Sequence, residues 1–412
     1  MSLKPEQNDL LTRVENSAPM GRYLKETMWF PVMISSVLEP AAPPRLVRLI
    51  GENYVIFRGE SGRVGFFAEL CPHRNASLLL ARNEGDALRC IFHGWKFSAE
   101  GRTLEVPTQR THHDEFCRRV PLEHFPTHEA GGVIWVWLGN GKPALLPDFL
   151  FMKLSGEHVA PAHSILDFNW IQAVEGLVDS AHVSILHTDW LKGMAINPAL
   201  ANAAHDAAPV YEFEEKPDGF RYAAIRDAPD NHKYVRITEY VGPWSVFTPG
   251  DQRSCYICIP VDNEHTAFWS FRHDPDGSIG EGPWKPKGDP MNYPPPLPGD
   301  RSNRWGQDRE AMRRGSFSGF PQHLAHEDQA AAYSQGKIAT RAREYLNAGD
   351  AGVMRMRNWL LRAVKDFEAG SVAPPVARTI NAGQGVIGDG EDWRVQDFFG
   401  PPRAVPAVLE TP

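Results

Sequence analysis

Two short runs constrain this chain more than any other feature. Cys71-Pro72-His73 and Cys90-Ile91-Phe92-His93-Gly94-Trp95 each place one thiol and one imidazole within a few residues of each other. A zinc ribbon draws a cysteine pair from each knuckle, and a finger uses a cysteine pair and then a histidine pair. Here each loop supplies one of both. A two-iron, two-sulfide cluster with thiolates on one iron and imidazoles on the other takes that set directly, with Cys71 and Cys90 on the first iron and His73 and His93 on the second. A structural Cys2His2 zinc site is the alternative. Histidine ligation also raises the potential of such a cluster well above that of an all-cysteine one, so it suits receiving electrons from a ferredoxin-level donor.

The chain of 412 residues has room for one small and one large domain. Its 42% hydrophobic and 23% charged residues are those of a water-soluble globular protein. No apolar stretch approaches the roughly 20 residues that span a bilayer, and Met1-Ser2-Leu3-Lys4-Pro5-Glu6 lacks the apolar core of a signal peptide. Cytoplasmic residence is expected. A net charge of -8 without a basic block argues against nucleic acid as a partner. Cys255 and Cys258 sit three apart in an extended run, pointing to opposite faces, and read as buried strand thiols. Cys117 has no evident partner in the sequence.

Residues 5–30 read as helical, with a turn at Pro19-Met20-Gly21. From Leu46 to about Leu138, short alternating segments punctuated by Gly, Pro and Asn predict a small antiparallel β-domain whose loops carry the cysteines and histidines. A helix is expected from Phe168 to about His187, with Asp167 or a neighbour as its cap. Strands are expected over Gly219–Arg226, Lys233–Tyr240, Ser254–Val261 and Thr266–Arg272. Prolines and glycines exclude regular structure over 274–300, and helices are expected over 327–346 and 352–367. The fold class is α+β, divided as a helical segment 1–25, a β-domain 26–145 and a larger helix-plus-antiparallel-sheet domain 146–412.

A second constellation lies in the Phe168–His187 segment. His182 and His187 plus a distant carboxylate form the facial triad of mononuclear non-haem Fe(II) sites, whose remaining positions stay open. A spacing of five rotates the second side chain about 140° from the first, so the helix must loosen or end between them. Asp179, three residues before His182 and on the same face, is placed to accept from the outer nitrogen of that ring. Asp328 is the strongest candidate for the third ligand. By spacing, Glu327 is nearly as good and His326 stays open.

Taken together, C-P-H-R, C-x-F-H-G-W, D-x2-H-x4-H and the late carboxylate resemble the oxygenase (alpha) component of the Rieske non-haem iron ring-hydroxylating oxygenases. Within that family the chain is most similar to the phthalate dioxygenase group, on Glu6–Val14, Asp308-Arg309, Ser334–Ile338 and Arg341. The resemblance implies a Rieske β-domain followed by a helix-grip, Bet v1-like catalytic domain. Cys71, His73, Cys90 and His93 would hold the [2Fe-2S] cluster, and His182, His187 and Asp328 the mononuclear Fe(II). Asp179 would bridge to the cluster of a neighbouring subunit in a homotrimer.

No nucleotide-binding fingerprint is present, so NAD(P)H would act only through a separate reductase bearing flavin and a ferredoxin-type cluster. The expected substrate is an aromatic carboxylate, hydroxylated or dihydroxylated with O2. Arg226 and Arg236 on adjacent strands are candidate carboxylate clamps, and Ser180 a candidate pocket residue. An O-demethylase of a methoxylated aromatic acid is the second reading. A pure Rieske electron carrier without catalytic iron is a third, of another class.

Overall fold

The structure, a computed structural model, describes residues 2–193, 201–229, 232–248, 253–279, 286, 288–371 and 386–388. Two compact units emerge, one comprising Leu24–Leu145 and the other Met1–Tyr23 together with Leu146–Pro412.

In Leu24–Leu145, β-branched and aromatic runs form three small antiparallel sheets. Glu52–Arg58 pairs with Arg45–Leu49 on one side and Val64–Ala68 on the other. Arg82–Asn83, Ala87–Arg89, Lys96–Ser98 and Thr103–Glu105 form a meander, and Trp29–Ile34 pairs with Val133–Trp137. Val55, Phe57, Phe67, Leu88 and Phe97 close a core that also takes in Cys71, Cys90 and Trp95. The metal-type thiols are therefore rooted in the hydrophobic core of the unit.

The helical stretch expected over 5–30 is instead two helices, Pro5–Thr12 and Pro19–Thr27. Asn16 and Ser17 between them have φ of 54° and 63°, values a right-handed helix cannot hold. Pro19 opens the second helix, and from Trp29 the chain is already strand. These helices do not stand apart from the large unit. Asn169 Nδ2 donates to the Thr12 carbonyl at 2.9 Å, Asn263 Oδ1 accepts from Val14 N–H at 2.8 Å, and Arg341 Nη1 donates to Asn8 Oδ1 at 2.9 Å.

The large unit is built on an antiparallel sheet. Its order is Val159–Leu166, Thr266–His273, Arg253–Pro260, Ser245–Thr248, His232–Val241, Gly219–Ala228 and Val210–Lys216. The four expected strands lie within it. Cys255 and Cys258 are buried in the third of these, and burial pushes both thiols up, as inert strand residues. Helix Trp170–Val178 packs on the sheet with Trp170, Ile171 and Val174 buried, and its cap is Asn169, whose side chain accepts from Ile171 N–H at 3.1 Å. Helix 327–346 is shorter than expected: it runs Leu324–Ser334 and stops before Gly336, where φ is +89°. The last long helix is Ala351–Glu368. Among the described residues no helix is long and apolar enough to cross a membrane.

A buried ion network ties these helices together. Arg341 meets Glu175 with two nitrogens at 2.7 and 2.8 Å, and Arg357 donates to Glu175 at 2.7 Å while also holding Glu344. Burial opposes charge on Glu175, but the two guanidiniums hold its carboxyl below the ordinary range. Glu175→Gln leaves the buried Arg341 without a carboxylate and Arg357 with Glu344 alone, and the expected loss is about 3–5 kcal/mol in denaturant unfolding of the large unit. A loss below about 1 kcal/mol would show that the network is solvated and weak.

Candidate active site

The two cluster-type loops are built alike. Cys71 N–H donates to the Ala76 carbonyl and Cys90 N–H to the Trp95 carbonyl, both at 2.9 Å. In return the Cys71 carbonyl accepts from Asn75 N–H and the Cys90 carbonyl from Gly94 N–H, at 2.9 and 3.0 Å. Asn75 and Gly94 both have positive φ, 57° and 74°, which turns each chain back on itself. The donors sort into a sulfur pair and an imidazole pair. Cys71 and Cys90 are buried neighbours, and the His73 and His93 rings lie 4.4 Å apart between centroids, with Trp95 stacked on His73 at 4.6 Å. Burial, reinforced by Cys90, pushes the Cys71 thiol up to about 11, so a thiolate there needs a metal to hold it. The buried Nδ1 of His93 has no protein partner. Paired thiols facing paired imidazoles, with an orphaned ring nitrogen, fit a two-iron cluster.

In the large unit the expected helix through His187 is broken. Trp170–Val178 ends at Asp179, and a short helix, Ala181–Leu186, carries His182 and ends at His187. No glycine or proline marks the break. Instead the Asp179 carboxylate accepts from Ala181 N–H at 2.8 Å and His182 N–H at 3.4 Å, capping the second helix in place of the continuing turn. Because the helix terminates at His187, the awkward spacing of five becomes workable.

His182 Nε2 lies 3.5 Å and His187 Nε2 3.1 Å from Asp328 Oδ1, and the three donor atoms all fall within 4.8 Å of one another. Each imidazole also has a carboxylate behind it. Asp179 is 3.4 Å from His182 Nδ1, and Glu327 is 2.6 Å from His187 Nδ1. Glu327, nearly as good as Asp328 by spacing, is thus an orienting group instead; it is buried and also accepts from Ser318. His326 is buried as well and does not line the cavity.

Burial works against charge on His182, yet Asp179 and Asp328 outweigh it and push the imidazole up to about 10. His187 is raised by Asp328 and Glu327 against the same opposition. The reciprocal pull holds the Asp328 carboxyl far below the carboxylate range despite burial. Three carboxylates around two imidazoles make a well for a cation, and the set fits a divalent metal with open positions. Glu327→Gln removes the negative charge that holds the His187 Nδ1 proton and orients the ring. Its expected effect is roughly 10–100-fold weaker iron binding, measured by chelator competition, with unchanged affinity as the contrary result.

The triad opens on a cavity of about 460 Å³, whose wall includes Leu166, Phe168, Val183, Leu186 and Phe268. Ser180 lines it, as does Arg236, whose buried Nε has no protein acceptor. Arg226 does not line the cavity. It is fully buried and donates to the Ser180 carbonyl (2.5 Å), Ser184 Oγ (3.0 Å) and the Asp206 carbonyl (3.1 Å), so it braces the histidine-bearing helix and does not reach a substrate in the cavity, against the expectation of a carboxylate clamp. Arg272, Tyr256 and Tyr293 also line the cavity and had no signal in the sequence. Cys117 packs with its sulfur 3.7 Å from His113 Nε2.

The chain matches the Rieske [2Fe-2S] domain over residues 28–126 and the family described as LigXa C-terminal domain like over residues 137–400. It belongs to the Rieske non-haem iron ring-hydroxylating oxygenases, as an oxygenase component fed with electrons from outside the chain, and the cofactors of that class are the [2Fe-2S] cluster and mononuclear iron. Among its relatives, the phthalate 4,5-dioxygenase oxygenase subunit of Pseudomonas putida is 35% identical, over 95% of this chain and 94% of the relative. The 5,5'-dehydrodivanillate O-demethylase oxygenase subunit of a Sphingobium species is 28% identical over 91% and 84%. The fold is also that of dicamba monooxygenase bound to dicamba, with a TM-score of 0.58 at 16% identity over 84% of this chain and 99% of the other.

Proposed function

We propose that this oxygenase hydroxylates or dihydroxylates an aromatic carboxylate of the phthalate or substituted-benzoate kind, in aromatic compound catabolism in the cytoplasm. The observation that carries the reading is an unpartnered arginine nitrogen on the wall of the cavity that also holds the His182, His187 and Asp328 donors. Arg236 would bind the substrate carboxylate, and the apolar wall would hold the ring and exclude water. Cys71, Cys90, His73 and His93 would hold the cluster, and His182, His187 and Asp328 the Fe(II). Iron held there supplies the one-electron chemistry by which O2 reacts with an aromatic ring.

Asp179 would orient His182 and carry the path from the cluster of a neighbouring subunit, in a homotrimer. Electrons would arrive from a reductase with flavin and a ferredoxin-type cluster. The likeness to an O-demethylase favours a second reading, removal of a methyl group from a methoxylated aromatic acid at the same metals. An electron carrier alone has no use for the triad or the cavity.

The test is turnover of a panel of aromatic mono- and dicarboxylates and methoxylated acids, with a reductase and O2, read by mass spectrometry. A dihydrodiol or hydroxylated ring supports the first reading, and a phenol with formaldehyde the second. Absence of any oxygenated product from metal-replete protein overturns both.

A further inference from the structure

The proline-rich stretch, unreadable as structure in the sequence, carries a side chain into the cavity. Tyr293 follows a short 3-10 turn, Pro290–Asn292, and its N–H donates to the His163 carbonyl at 2.8 Å. Just beyond it, Leu297 N–H donates to Gln329 Oε1 at 2.6 Å and Gln329 Nε2 donates to the Pro295 carbonyl at 3.2 Å. Gln329 is the neighbour of Asp328 on helix Leu324–Ser334. Tyr293 is thereby fixed between a sheet strand and the helix that bears the candidate carboxylate ligand.

Its phenol is matched to one role. Tyr293 Oη lies 3.1 Å from His323 Nε2, and His323 Nδ1 receives the N–H of Ala325 at 3.0 Å. A backbone N–H only donates, so Nδ1 is the acceptor and the ring proton sits on Nε2. His323 Nε2–H then donates to Tyr293 Oη, which leaves the phenolic proton to be given away. Burial pushes the His323 imidazolium down to about 4, in keeping with a neutral ring. Tyr293 and His323 both line the cavity. An O–H donor on the wall of the cavity that also holds the unpartnered Arg236 Nε means that the wall offers more donors than one carboxylate engaged by Arg236 consumes.

We propose that the Tyr293–His323 pair is a specificity device, donating a hydrogen bond to a second oxygen substituent of the aromatic acid whose first carboxylate Arg236 holds. The inference rests on the reading of the cavity as the site of an aromatic acid. The second oxygen belongs to a carboxylate, a hydroxyl or an ether, chemistries that share the acceptor and are separated by the panel below.

The test is anaerobic calorimetric titration of the full-length, metal-loaded protein with benzoate, the three benzene dicarboxylates, 3-hydroxybenzoate and 3-methoxybenzoate. At least one doubly substituted acid should bind more tightly than benzoate. Tyr293→Phe should weaken that acid roughly 10-fold while leaving benzoate within about twofold. His323→Gln should weaken it as well, and the double variant should be no worse than Tyr293→Phe alone, since the two act as one unit. Retention of the mononuclear iron and an unchanged unfolding transition confirm that the large unit of each variant is folded. Equal weakening of benzoate and the doubly substituted acid, or no change in either, overturns the proposal. So does a wild-type protein that prefers no doubly substituted acid. If the protein binds no aromatic acid at all, the carboxylate reading of the cavity falls first and the pair with it; Arg236→Gln, which should weaken every acid including benzoate, distinguishes the two failures.

Discussion

Asp179→Asn is expected to keep both metal centres and to lower turnover roughly 100-fold. The amide has the size of the carboxylate and still offers an oxygen to the Ala181 and His182 N–H groups, so the cap on helix Ala181–Leu186 survives. What it loses is the charge 3.4 Å from His182 Nδ1. A metal on Nε2 keeps the ring proton at Nδ1, and the variant then lacks the anion that holds that proton and orients the ring. The readouts are iron content, the paramagnetic signal of the reduced cluster, and product per reduced cluster in a single turnover. Full single-turnover yield at the wild-type rate would remove Asp179 from the path.

Asp328→Ala is expected to abolish turnover altogether while leaving the cluster spectrum untouched. Two imidazoles from one short helix remain, and the carboxylate that meets both of them is gone. A two-donor site binds Fe(II) far more weakly than a facial triad. The cluster loops lie in the other compact unit, rooted in a core that shares no residue with this helix. Iron content should fall from about three per chain to about two. A variant that keeps its third iron and its product yield would transfer the ligand role elsewhere, and Glu327 and His326 are the neighbours to examine.

The metal-type residues were legible because ligand geometry is written in short covalent spacings. C-x-H and C-x-x-H differ by one residue, yet both loops turn back at the fourth residue after the cysteine, Asn75 and Gly94. The sheet strands were legible through alternation and β-branched content. The break before Ala181 was not, since the Asp179 carboxylate interrupts the helix by side-chain capping without a glycine or proline. The choice between Asp328 and Glu327 needed the helix phase, which puts one carboxylate on the cavity and the other behind His187. Arg226 and Arg236 were indistinguishable on their strands. In the antiparallel register Ala224 faces Arg236 and Arg226 faces Tyr234, so both arginines lie on one sheet face, and only the approach of Ser180, Ser184 and Asp206 consumes the first. Tyr293 was hidden because a proline-rich segment has no period from which direction can be read.

The most direct measurement follows cluster colour and product together in one experiment. Protein reduced with dithionite, freed of reductant and given a bound aromatic acid, is mixed with O2 in the absence of any reductase. The account predicts that the cluster reoxidises in step with the appearance of oxygenated product, and that Asp179→Asn separates the two. Cluster reoxidation without product, at the same rate in wild type and in Asp328→Ala, would contradict it.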